Sequence, residues 1–515
     1  GYKGEDCSLL ECKKQKCHDH GSCQTFSEGF SSCVCENGYG LSDCSAEISP
    51  LPPIPNLLNK RQYVYDDYKD DHPLFNMSAI MQLFIEISEK DLGFVILPEN
   101  QHSKEYKKAN ITFFNGVEKK TFINAGIKIK GGASREFAKK SFKISLHHFE
   151  KSNGAWYGQR KFSMKAASMV PDFVREMASA AAIYAMGGPV QRMSYATINI
   201  NGGSRGVYLF MEDPGEAAYL ESRFGYSKGS LWKCTGALEY QGPDVEAYRE
   251  EKSIFGEQSY RPLTPAAQDF SPLANFIYIL TQTPERDFER EIEKVFNVEF
   301  FLRTYAAEVM TANFDGIWNG NNYFLYMHED GRLHYYRQDL DLALGMVPFL
   351  QMNHLNVWNW GSVGRGRMLP SRLLRIPRYQ KLFAHYLASA MGYVNADPLG
   401  FFMQRILALQ SSISPAVKND YWHRLDLSYS YNEFLYSVTR PIYRPFPTLP
   451  ENTFVDSFSL KYVEPIQDYL KTRVHTAKQQ LEEGPGGRWM DEKGEGVKGI
   501  FQEVEEEREE ERGEE

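Results

Sequence analysis

No run in this 515-residue chain approaches the roughly 20 consecutive apolar residues that a membrane-spanning helix needs. Basic charge is not in excess either. There are 58 Lys and Arg against 67 Asp and Glu, and a nearly neutral body offers duplex nucleic acid little to hold. Seven of the nine net negative charges fall in the last 15 residues, where the glutamates from Glu503 read as a disordered tail. Forty glycines and 25 prolines are too few for a collagenous or low-complexity chain. After residue 44 cysteine all but disappears. The exception, Cys234, reads as a buried or idle thiol rather than a nucleophile. The 12 histidines show no metal-ligand spacing, and His147-His148 reads as surface. The chain opens Gly1-Tyr2-Lys3 without Met or signal peptide, as a mature or excised chain would.

Cysteine is concentrated instead in the first 44 residues, which hold seven of the eight. Cys12, Cys17, Cys23, Cys33, Cys35 and Cys44 are separated by four, five, nine, one and eight residues. Spacing alone leaves fifteen pairings open. With Gly38-Tyr39-Gly40 before the last cysteine, the pattern resembles an EGF-like module, too small for a proper apolar core and held by disulfides. The resemblance implies Cys12–Cys23, Cys17–Cys33 and Cys35–Cys44. Cys7 reads as the end of a preceding module, the alternative being a free thiol or a pair with Cys234, and Ser8–Glu11 lacks the acidic run of calcium-binding modules, so no calcium is expected. Such a framework needs an oxidising compartment: secreted, luminal or cell-surface. The sequons at Asn76 and Asn110 agree with that.

The expected order is the tail of a truncated module (1–7), an EGF-like module (8–46), a proline-rich spacer (47–61), one large domain (62–485) and the acidic tail (486–515). Strand-like runs open the large domain at Met81–Ile87, Ile111–Phe114, Phe122–Lys130 and Ser141–Leu146. A helix follows over Asp172–Met186, then strands Tyr195–Ile200 and Gly206–Met211 around Asn201-Gly202. Helices dominate after about 262, interrupted by the strand pair Tyr323–His328 and Leu333–Arg337. The fold class is α+β, strand-rich first and helical second. Trp358 and Trp360 read as core.

Four stretches carry chemistry. Lys130-Gly131-Gly132-Ala133-Ser134-Arg135, running on to Lys139-Lys140, is a glycine turn among cations that suits a polyphosphate, although the Walker spacing is absent. Gly206–Asp213 is an apolar strand ending on acids, like a kinase hinge, where the backbone at Met211-Glu212 would meet adenine. Asn313–Asn322 places Asp315 in an Asn- and Gly-rich loop that can orient a hydroxyl and hold a hard cation. Asp339-Leu340-Asp341 follows a strand, and residues two apart on an extended segment face one side. Two carboxylates aimed together invite Mg²⁺ or Mn²⁺.

In this order the parts are those of phosphoryl transfer, and the segment from about 120 to 346 resembles the spore-coat protein H (CotH) family of atypical kinases. The residues that carry the likeness are Gly131–Ile144, Asp172–Glu176, Asn201-Gly202 with Gly206–Leu209 and Glu212, Asn313–Asp315 with Asn322-Tyr323, and Asp339–Asp341 with Gly345. The resemblance implies a two-lobed kinase-like domain that transfers the γ-phosphoryl group of ATP to Ser or Thr of secreted or luminal proteins. It implies Lys140 as the phosphate-binding lysine, helped by Lys130, Ser134 and Arg135, with Glu176 as its carboxylate partner and Glu212 as a competitor. Asp315 would orient or deprotonate the acceptor hydroxyl. Asn322 and Asp339 would bind the metal, with Asp341 beside them. Position 320 is Gly, where conventional kinases carry the metal-binding Asn, and neither Asp-Phe-Gly nor Ala-Pro-Glu occurs. The rival reading is a cell-surface adhesion or invasion protein whose EGF-like modules and kinase-like domain bind partners. A glycosyltransferase using Asp339-Leu340-Asp341 would need alternating β and α near its start, which the successive strands of 78–146 do not provide.

Overall fold

The computed structural model describes residues 80–485 apart from 254–255, 348–350, 361–367 and 444–461, together with 72–76, five residues between 51 and 57, and four short strands before residue 48. Those strands are β1 (Gly21–Thr25) antiparallel to β2 (Ser31–Cys35), and β3 (Tyr39–Gly40) antiparallel to β4 (Ala46–Glu47). The disulfides expected among Cys12, Cys17, Cys23, Cys33, Cys35 and Cys44 rest on side chains outside the described residues, and the acidic tail lies outside them too.

Alternation builds the first half. In β5 (Met81–Ile87), Met81, Leu83, Ile85 and Ile87 turn inward and the residues between them are less buried, the period-2 signature of a strand with one face on a core. After α1 (Glu89–Ile96) come β6 (Lys107–Phe114), β7 (Lys119–Lys130), β8 (Ser141–Ser145), β9 (Lys161–Lys165), β10 (Met193–Ile200) and β11 (Gly203–Glu212). Neighbours from β5 to β9 are antiparallel, β11 lies between β9 and β10, and β10 runs parallel to β5. The seven strands thus close into a barrel, which leaves no unpaired edge. Ile111, Phe113, Ile144, Phe162, Met164 and Phe210 fill it. Each expected strand run is present, but the closure, α1 and β9 were not foreseen.

The second half is helical around a four-stranded sheet. α2 (Arg175–Ala185) joins β9 to β10, and α3 (Ala217–Phe224) follows β11. β12 (Leu231–Cys234), α4 (Val245–Glu250), β13 (Tyr260–Pro262), α5 (Ser271–Gln282), α6 (Glu285–Val295) and α7 (Val298–Thr311) lead to β14 (Tyr323–Met327) and β15 (Leu333–Arg337). The sheet order is β13-β12-β14-β15, all antiparallel, so the foreseen strand pair is half of a larger sheet. α8 (Met368–Leu373), α9 (Pro377–Tyr393), α10 (Phe401–Lys418), α11 (Tyr431–Tyr436) and α12 (Ile466–Glu483) complete it, with β16 (Ile442–Tyr443) against β17 (Tyr462–Val463). α2 is buried at every position and α7 at all but Glu299, as befits helices in the middle of the molecule. Trp358, Trp360 and Cys234 are core, as expected. Among the described residues, no helix is long and apolar enough to cross a membrane.

The proline-rich segment does not stand off as a spacer. Leu51, Ile54 and Leu57 pack on the helical core, Arg405 Nη1 donates to the Pro52 carbonyl (2.8 Å), and the Leu57 N–H donates to the Ala185 carbonyl (3.1 Å).

One ion pair locks barrel to helices. Lys139 and Asp420 meet at 2.7 Å with both side chains wholly buried. Lys139 also donates to the Val207 carbonyl (2.5 Å), and Asp420 accepts the Val207 N–H (2.8 Å). A Cβ on Gly206, whose φ is +82°, would collide with that carboxylate, so only glycine fits there. Asp420→Ala leaves the Lys139 ammonium buried without the carboxylate it touches. We expect a loss of about 3–5 kcal/mol by urea denaturation. The double change Lys139→Met with Asp420→Leu should recover most of it, because no lone charge remains.

Candidate active site

The site is assembled where β9 ends, α2 begins and β15 ends. Lys165 is the last residue of β9, and β8 on one side and β11 on the other fix its direction. α2 starts ten residues later. Asp172 Oδ1 accepts the Val174 and Arg175 N–H groups (3.1 Å each) and sets that start. Arg175, fully buried, pairs with Asp172 (3.0 Å) and also donates to the backbone carbonyls of Leu344 and Glu464. That places Glu176 in the first turn, 2.5 Å from Lys165, with its other oxygen taking the Leu340 N–H (3.2 Å). Beyond β15 the chain turns through Asp339 at φ +61°, an uncommon conformation for a non-glycine residue. Asp339 joins Lys165 directly and Asp341 does so at 3.0 Å.

One ammonium therefore faces three carboxylates, and one oxygen from each of Glu176, Asp339 and Asp341 lies within 4.8 Å of the others. Glu176 is almost sealed (2% exposed) and Asp341 nearly so (12%), whereas Asp339 is 46% exposed and forms the mouth. The charges divide the carboxyls. Burial alone would raise Asp339, but the Lys165 ammonium and its hydrogen bond hold it well below the usual range. Asp341 is pushed up to about 7 by burial, which Lys165 opposes and the Asp339 and Glu176 charges reinforce. Burial would lower Lys165, but the three carboxylates raise it well above the ordinary lysine value. Burial lowers Lys130 and Lys233, the latter to about 8, and both feel the Asp339 charge.

The Asn-rich loop supplies the other half. α7 ends on Ala312 in the left-handed region (φ +48°), which releases the chain into 313–322. Asp315 accepts the side-chain amides of Asn321 and Asn322 (2.8 Å each) and of Asn319 (3.3 Å). Burial raises its pKa, those amides pull it down, and the Asp339 charge adds to the rise. Asn313 Nδ2 donates to the Asp339 carbonyl (3.2 Å), tying loop to turn. Beneath them, buried Arg337 donates to the Asn321 and Asn322 carbonyls (3.1 and 2.7 Å) and faces Glu308 at 3.1 Å, while Tyr335 also donates to Glu308 (2.7 Å). A Cβ on Gly316 would strike the Arg337 guanidinium.

Several expectations need correction. Glu176 is not the partner of Lys140: Lys140 Nζ donates to the Arg135 carbonyl (2.6 Å), and the lysine on Glu176 is Lys165. Arg135 turns back on its own loop, donating to the Gly131 carbonyl (2.6 Å) and to the Gln101 carbonyl (2.9 Å), so it braces the turn. Ser134 Oγ fills the space a Cβ on Gly131 (φ +122°) would need. Lys130 does lie within electrostatic reach of Asp339. Met211 and Glu212 do not offer a free hinge. Met211 is buried and strand-paired on both sides. The Glu212 N–H and carbonyl are engaged by Arg192 and Gln191, and its carboxylate is held by Arg192 (2.9 Å) and Arg223 (2.6 Å). Lys165 and Lys233 were missed. The signal for Lys165 was the short alternation Lys161-Phe-Ser-Met-Lys165 just before the α2 start.

The family described as "CotH kinase protein" matches residues 127–473, well over half of the chain, and the chain belongs to the CotH family. It is 23% identical over 309 residues to the inner spore coat protein H of Bacillus subtilis strain 168, covering 59% of this chain and 81% of that protein. It is 22% identical over 346 residues to spore coat protein homolog 1 of Rhizopus delemar, covering 65% of this chain and 54% of that one. With invasin CotH7 of Rhizopus delemar it shares 22% over 380 residues, 72% of this chain and 61% of that one. The match thus spans between half and two thirds of the Rhizopus proteins.

The Asp341 carboxyl keeps its proton to higher pH in the fold than an unfolded chain does, where it titrates near about 4. It therefore disfavours folding increasingly as pH rises from about 4 to about 7. Asp341→Asn should melt no lower than the parent chain in metal-free buffer at pH 8, and should lose most of any rise in melting temperature brought by Mg²⁺ or Mn²⁺. In the parent, that rise should be larger at pH 8 than at pH 5.5, since bound carboxylates must be deprotonated.

Proposed function

We propose that this chain is a protein kinase of the secretory route or cell surface, transferring the γ-phosphoryl group of ATP to Ser or Thr of proteins. The observation that carries this reading is the convergence of Lys165, Glu176 and Asp339 with the Asp315–Asn322 pair at one mouth. A lysine braced by a helix carboxylate, a carboxylate beside carboxamides, and a second carboxylate at a strand end are the parts phosphoryl transfer uses. CotH membership and the family description support it. The early cysteines and the relatives named as coat proteins and invasins support an extracellular or luminal setting.

The donor set fits a hard divalent cation, because it is all oxygen and carries more negative charge than Lys165 balances. Asp339 and Asp341 would hold it, with the Asn322 carboxamide oxygen as a further ligand, and Glu176 would stay on Lys165. When bound, Mg²⁺ or Mn²⁺ supplies charge neutralisation for the triphosphate. Lys165 aligns the phosphates, with Lys130 and Lys233 on the flanks. Asp315, held by three asparagine amides, accepts the proton of the acceptor hydroxyl as its oxygen bonds to the γ-phosphorus and the bond to the β-phosphate oxygen breaks. The raised Asp315 pKa suits a general base.

The Rhizopus relatives named invasins favour a second reading, a surface protein that binds partners through this domain. One assay separates the two. With γ-labelled ATP, Mg²⁺ or Mn²⁺ and a Ser-rich acceptor, the purified chain should incorporate label. Asp315→Ala should cut the rate by about 10²-fold or more with little change in the KM for ATP, and Asp339→Ala should abolish it. No label and no ATP-dependent rise in melting temperature would leave the binding reading in place.

A further inference from the structure

The histidines look scattered in sequence but two of them meet at the turn of the β14–β15 hairpin. His328 follows β14, Asp330 sits in the turn and His334 lies in β15. Asp330 Oδ1 is 3.4 Å from His328 Nδ1 and 3.6 Å from His334 Nε2, and one donor atom from each residue lies within 4.8 Å of the others. These separations are long for good hydrogen bonds. They are close to the edge of a coordination tetrahedron, since donors about 2.0–2.1 Å from a zinc ion sit about 3.3 Å from one another.

The surroundings orient the donors. His328 Nε2 lies 3.1 Å from the Phe224 carbonyl, which only accepts, so the ring proton is on Nε2 and the Nδ1 lone pair faces Asp330. That is how metal-ligating imidazoles are usually held. Nδ1 also faces the Asp330 N–H at 3.3 Å. Arg332 Nε and Nη2 bind Asp330 Oδ2 (3.0 and 2.7 Å), and the Arg332 N–H donates to Oδ1 (3.0 Å), which fixes the carboxylate plane. His334 is fully buried against the rings of Phe224 and Phe300. Asp330, about a quarter exposed, leaves a way in from solvent.

We propose that His328, Asp330 and His334 form a site for a borderline divalent cation, best fitted to Zn²⁺, separate from Glu176, Asp339 and Asp341. Two imidazoles and one carboxylate disfavour Mg²⁺ and Ca²⁺ and suit zinc. The ion staples the hairpin at its turn. β14 begins directly after Asn322 and β15 ends two residues before Asp339, so both active-site residues hang from the hairpin's other end.

The test is Zn²⁺ titration calorimetry on the full chain carrying Asp339→Asn, which weakens the other cluster, with metal content after dialysis and the visible spectrum of Co²⁺ as its stand-in. One equivalent of Zn²⁺ should bind at micromolar concentrations and give a tetrahedral Co²⁺ spectrum. Adding Asp330→Asn or His328→Gln should weaken binding at least tenfold and remove the Zn²⁺-dependent rise in melting temperature. Because His334 is in the core, its variants are not needed. No micromolar binding, or binding that survives both substitutions, overturns the proposal.

Discussion

Everything around the mouth depends on a single ammonium placed among three carboxylates. Lys165 alone cannot balance Glu176, Asp339 and Asp341, and little water reaches the inner two. Bringing like charges together in a poorly solvated place is costly unless cations or protons intervene. The fold accepts this arrangement because each carboxylate is fixed by backbone geometry. Glu176 stands at a helix start braced by Asp172 and Arg175, and it holds the Leu340 N–H. Asp339 and Asp341 leave a strand whose last residue, Arg337, is clamped to Glu308 and the Asn-rich loop. Under the proposed function this excess negative charge would draw divalent cations first, and Lys165, Lys130 and Lys233 would draw the polyphosphate.

Rigidity comes from the same economy of parts. Arg175 reaches from α2 to the backbone at Leu344 and Glu464, while Asp420 reaches from the end of α10 to Lys139 and β11. The barrel is therefore joined to the helices by charged groups that are wholly buried, which makes their relative placement specific. α2, alanine-rich and buried on every side, fills the space between them and carries Glu176 on its first turn.

The strand and helix pattern was legible because burial follows period: β5 alternates, and α7 is mostly apolar and buried at all but Glu299. Asp315 with Asn322, and Asp339 with Asp341, were legible as polar clusters between regular elements. The reason given for the second pair was incomplete, since Asp339 is in the left-handed region rather than extended and the pair is gathered by Lys165. Lys165 could not be told from Lys140 by local sequence. Both flank short strands, and only the β8–β9–β11 pairing decides which of them faces Glu176. The apparent hinge at Met211-Glu212 failed for a similar reason, because β11 is an inner strand, paired with β9 on one side and β10 on the other. The histidines, unremarkable by spacing, come together only when the hairpin folds.

The central claim is that Lys165, rather than Lys140, is the cation on which nucleotide binding turns. Mg²⁺–ATP titration calorimetry on Lys165→Met and Lys140→Met, each checked for an unchanged fold by circular dichroism, tests it most directly. The account predicts that Lys165→Met weakens ATP by about tenfold or more, while Lys140→Met stays close to the parent chain. Full affinity in Lys165→Met together with loss in Lys140→Met would contradict it.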